Sequence, residues 1–68
     1  MTLTEKSTLA DVYRKTAAIY RESAREWREL ANRAPDGLAF IMLGNAERND
    51  QLAAADMARA SDLCKTSV

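Results

Sequence analysis

Three arginines, Arg14, Arg21 and Arg28, recur every seven residues, with Lys15 and Arg25 beside them. On a helix that spacing makes one basic stripe, which can grip phosphates or an acidic protein surface. An aromatic precedes each arginine: Tyr13, Tyr20 and Trp27. Aromatics in such a column either stack on bases or pack a core. Carboxylates decide between the partners. Glu22, Glu26 and Glu29 interleave with the stripe, and Asp11–Lys15, Arg25–Glu29 and Glu29–Arg33 have the spacing of helical ion pairs. Interleaved acids repel phosphate, so a protein partner is expected ahead of RNA, and RNA binding by the first helix is the alternative.

A second cluster flanks the single proline: Trp27, Leu30, Leu38, Phe40, Ile41, Met42 and Leu43. Aromatic and Met anchors of this kind dominate binding energy at protein interfaces, and they equally suit the core of a dimer. Trp27, Phe40, Ile41 and Met42 are the candidate apolar contacts, and Arg21, Arg25 and Arg28 the polar rim. Catalysis is not expected. The chain has no His, and no nucleophile–base pair, metal-ligand cluster or glycine-rich phosphate loop can be assembled. Cys64 is the single cysteine, so neither an internal disulfide nor a cysteine zinc site is expected. No cofactor is implied.

These residues must be positioned by helices. With 68 residues there is material for one small domain. Thirteen of them are Ala, β-branched residues are few, and ten basic groups balance ten acidic ones. Low side-chain entropy cost makes such a chain helical. No apolar stretch approaches the roughly 18–20 residues of a membrane span. The opening residues show no apolar targeting segment, so a cytoplasmic protein is expected. Thr2-Leu3-Thr4-Glu5 fits a capping box. Residues 1–68 are read as a single helical-hairpin domain. The first helix is expected over about 3–32, a turn at about 33–36 around Pro35, and a second helix over about 36–63. Gly44 is the weak point of the second helix and a possible break, and the end from Lys65 onward is expected to fray.

Two alanine columns set the expected packing. Ala10, Ala17, Ala24 and Ala31 stand seven apart, as do Ala39, Ala46, Ala53 and Ala60. Folding the chain back at residue 35 pairs Ala10 with Ala60, Ala17 with Ala53, Ala24 with Ala46 and Ala31 with Ala39. The fold class is therefore all-α, an antiparallel αα-hairpin with an alanine-lined, close-packed seam. The register also sets Trp27 by Leu43, Tyr13 by Met57, and Tyr20 by Asp50 for a phenol–carboxylate hydrogen bond. An alanine seam buries little area, so a second apolar stripe needs cover. It comprises Leu9, Val12, Ile19 and Leu30 on the first helix and Leu38, Ile41, Leu52 and Leu63 on the second. A homodimer closing a four-helix bundle supplies that cover. The functional expectation is a small non-enzymatic regulator, adaptor or inhibitor that binds another protein through a helical surface. The alternatives are the RNA-binding hairpin dimer and a structural subunit of a larger helical assembly.

Overall fold

A computed structural model describes residues 1–65. Two helices account for nearly all of them: α1, Leu3–Arg33, and α2, Asp36–Lys65. They lie side by side as an antiparallel hairpin, a rod of 51 × 13 × 12 Å.

The first helix starts where its capping residues stand. Thr2 has extended backbone, its Oγ1 accepts from the Glu5 amide at 3.1 Å, and Glu5 Oε1 accepts from the Thr2 amide at 3.1 Å. This reciprocal pair satisfies amides that the first turn would otherwise leave open. The same bonds hold the Glu5 carboxyl below its ordinary range. The helix ends at the residue before proline. Proline's ring clashes with a helical predecessor, and Ala34 is extended, at φ −83° and ψ 152°. Its amide still reaches back to the Ala31 carbonyl at 3.3 Å.

Pro35 stands in the expected turn, just before the second helix. Its carbonyl accepts from the Leu38 and Ala39 amides at 2.9 and 3.1 Å, which makes it the residue that opens α2. Asp36 follows at the positive end of the helix dipole. The possible break at Gly44 does not occur: α2 runs through it to Lys65, two residues beyond the expected end. Nothing lies within 4 Å of where a Gly44 Cβ would stand, and its backbone is not in the left-handed region. Gly44→Ala should therefore stabilise the hairpin by about 1 kcal/mol, the helix-propensity difference alone. A chemical-denaturation midpoint at unchanged m-value would show it. The remaining expectation of a frayed end, residues 66–68, lies outside the described residues.

The seam is the one read from the alanine columns. Ala10, Ala17, Ala24, Ala46, Ala53 and Ala60 are fully covered or within 1% of it, and Ala31 is buried. Ala39, nearest the turn, is half-buried. A methyl group at each layer lets the backbones approach, and the seven-residue repeat keeps the layers in line along the rod. Among the described residues no large side chain is fully buried. The interior of this hairpin is alanine, edged by half-buried Tyr13, Tyr20, Trp27, Met42 and Met57.

Candidate interaction surfaces

Cross-helix contacts define two edges of the seam. On one, the Thr16 hydroxyl donates to Asp56 Oδ2 at 2.6 Å, and it also lies 3.0 Å from the Tyr13 carbonyl. Arg59 Nη1 donates to Asp56 Oδ1 at 3.0 Å, and its guanidinium stands 5.9 Å from the centre of the Tyr13 ring. On the other edge, Arg28 donates to Asp50, and Arg14 Nη2 points at Cys64 Sγ at 3.3 Å.

Asp56, 6% exposed, is the buried acid among the described residues and is not one of the candidates named from the sequence. The signal was present: Asp56 stands three residues after a seam alanine, Ala53, the place that Tyr13, Tyr20 and Trp27 hold on α1. Both its oxygens are bonded, as burial of a carboxylate demands. Asp56→Ala removes these bonds and leaves the Thr16 hydroxyl the Tyr13 carbonyl as acceptor. A destabilisation of about 1–2 kcal/mol is expected, read from the denaturation midpoint.

Asp50 was expected to take a hydrogen bond from Tyr20. Its carboxylate accepts from Arg28 instead. The guanidinium has the reach to cross the seam and the charge to make the stronger bond.

The arginine rim is largely engaged within the chain. Arg25 is held between Glu22 and Glu29, its own neighbours on α1, and Arg25 in turn keeps the Glu22 carboxyl below its usual range. Arg28 spans the helices to Asp50, and Arg14 pairs with Asp11 at 2.9 Å. Arg21 is exposed and, among the described residues, forms no ion pair. These bridges are solvent-exposed and individually worth about 0–1 kcal/mol. An acidic partner would have to compete with these carboxylates for Arg14, Arg25 and Arg28.

The four apolar candidates do not form one patch. Consecutive helical residues point about 100° apart, so Phe40, Ile41 and Met42 fan around α2. Met42 turns toward the seam and is half-buried, as is Trp27. Ile41 stands with Leu38 and Leu52, which follow the spacing of one helical face. Val12, Ile19 and Leu30 form the matching stripe on α1. Both stripes lie on the Thr16–Asp56 side, where Leu9, Tyr13, Arg59 and Leu63 line one shallow groove across the two helices. All six of these stripe residues are exposed, from 40% at Leu52 to 67% at Ile19. Phe40 is different. It is 82% exposed and stands on the Arg28–Asp50 side, with Leu43 three residues on.

No known protein family, curated protein or solved structure matches this chain. Its function must be argued from these surfaces. Among the described residues no helix is long and apolar enough to cross a membrane, and no group of three or more acidic, Cys or His residues is placed to hold a metal ion.

Proposed function

We propose that this protein is a small cytoplasmic, non-enzymatic regulator or adaptor that binds another protein through a helical surface, and that it works as a homodimer. The observation that supports this is the mismatch between interior and surface. The hairpin covers alanine and leaves its large apolar side chains in solvent. Alanine layers alone do not offset the ordering of some sixty residues at roughly 1.5 kcal/mol each. The hairpin is 51 Å long, and the Leu/Ile residues from Val12 to Leu30 on α1 occupy about 27 Å of it at 1.5 Å per residue. Two copies joined through Val12, Ile19, Leu30, Leu38, Ile41 and Leu52 form a four-helix bundle.

Engagement of Arg14, Arg25 and Arg28 by acidic or thiol groups favours a protein partner over RNA, since a phosphate backbone would compete with carboxylates already in place. Light scattering over a range of concentrations tests the dimer: a mass near twice 7.5 kDa supports it, and a folded monomer overturns it. Titration with unstructured RNA at low salt tests the partner class. Tight, steeply salt-dependent binding would replace this reading with the RNA one.

A further inference from the structure

The Leu/Ile face carries a polar band between its apolar residues. Glu26 stands seven residues after Ile19 and four before Leu30, and Arg48 seven after Ile41 and four before Leu52. Helical spacing puts both on this face, and Ile19, Ser23 and Glu26 edge one shallow hollow. The band lies at the buried Ala24–Ala46 layer, which Ser23 and Glu26 bracket on α1 and Asn45 and Arg48 bracket on α2. Glu26 and Arg48 are exposed, and among the described residues neither forms an ion pair. The other charges of the face stand toward the ends of the rod. Arg33 is by the turn. Asp62 is at the open end, with Arg59, held by Asp56, and Glu5, held by the Thr2 amide.

We propose that a second copy covers this face with its turn at the same end of the bundle, each Glu26 pairing with the partner's Arg48. This deepens the reading of the chain as a homodimer and rests on it. The two charges of the band have opposite sign and sit on different helices. A twofold axis along the rod lays α1 on the partner's α2, layer on matching layer. Glu26 then meets the partner's Arg48 twice in the dimer, about one helical turn apart and within reach of a guanidinium. Ser23 meets the partner's Asn45, Ile19 the partner's Leu52, and Leu30 the partner's Ile41. An end-for-end dimer lays α1 on the partner's α1 instead. Centred on the rod, it sets the Ala24 layer on the partner's Ala10 layer, where Glu26 lies against the partner's Leu9 and the partner's Val12 without a cation. Slid until the bands meet, it sets Glu26 by the partner's Glu26 and Arg48 by the partner's Arg48, and like charges across an interface are unfavourable. A partner with charges of one sign would leave either Glu26 or Arg48 unmatched. A copy of this chain matches both.

The test uses the full chain. Glu26→Arg alone, or Arg48→Glu alone, puts like charges together at both pairs and should weaken dimerisation about tenfold or more, read by light scattering on dilution. The two substitutions together exchange the charges and should restore the wild-type dissociation constant to within about threefold. Both sites are exposed, so helical circular dichroism should not change. Nitroxide labels on Cys64, which is exposed near the open end, report orientation by pulsed electron resonance. Helix diameter and rise place them about 30 Å apart or less when the turns share an end, and about 40 Å or more when they are opposed. The longer distance, single variants that dimerise like the wild type, or a double variant that is not restored overturns this arrangement and leaves the dimer standing. A chain that stays monomeric at every concentration overturns the dimer and this arrangement with it.

Discussion

Replacing Ala24 by leucine should cost this protein its cooperative fold or about 3 kcal/mol or more of stability. Ala24 is fully covered at mid-seam. Leucine adds three carbon atoms at a fully covered position, and overpacking a close-packed interior costs typically 1–3 kcal/mol. Here the cost should sit at the upper end. The backbones can make room only by moving apart, which uncovers the neighbouring layers, Ala17 and Ala31, at the same time. The same substitution on the exposed face of α1, Ala18→Leu, is the control and should shift the denaturation midpoint by less than about 0.5 kcal/mol. Equal effects at the two positions would show that the alanine seam is not a close-packed interface.

The second large effect concerns the Leu/Ile face. Ile19→Asp combined with Leu52→Asp should convert the proposed dimer to monomer, with a matching fall in stability. In the hairpin alone these side chains are 67% and 40% exposed, so a carboxylate at either keeps its hydration. In the bundle each would be buried opposite apolar side chains without a partner, at a cost of several kcal/mol per charge. The six residues of the face, counted on both copies, contribute roughly 10 kcal/mol when covered, at about 1 kcal/mol per half-exposed side chain. Two acids per chain remove most of that. Light scattering and the concentration dependence of thermal unfolding would show it: the wild-type midpoint should rise with protein concentration and that of the double variant should not. A wild-type midpoint independent of concentration, with no change in mass on substitution, would leave the face without a second copy.

The two predictions draw on different parts of the sequence. The alanine columns were legible because their signal is periodic. Ala at every seventh place on both arms, with Pro35 between them, admits one antiparallel pairing, and seven of the eight alanines are buried. Capping was legible for a local reason, since Thr2 and Glu5 satisfy each other within one turn. Continuity through Gly44 was not legible. A helix-propensity penalty of about 1 kcal/mol is small beside the packing of the turns on either side, and only the assembled hairpin shows that packing.

The candidate surfaces divide the same way. Residue types marked Trp27, Phe40, Ile41 and Met42 as anchors, and adjacency in sequence suggested one patch. Helical rotation disperses them: Trp27 and Met42 to the seam edge, Ile41 to the Leu/Ile face, Phe40 to the opposite side. The partners of the arginines are legible in sequence only where they are local. Arg25–Glu29 follows from local spacing. Arg28–Asp50 and Thr16–Asp56 join residues far apart in the chain and depend on how the two helices are rotated about their axes.

Periodicity and capping suffice to specify two helices, their turn and an alanine seam, because each arises from repeats or contacts within a few residues. Helix rotation and side-chain reach across the seam specify the rest: which acid is buried, which arginine is engaged, and which apolar residues share a face. These depend on angles and distances between the helices, and a linear pattern does not carry them.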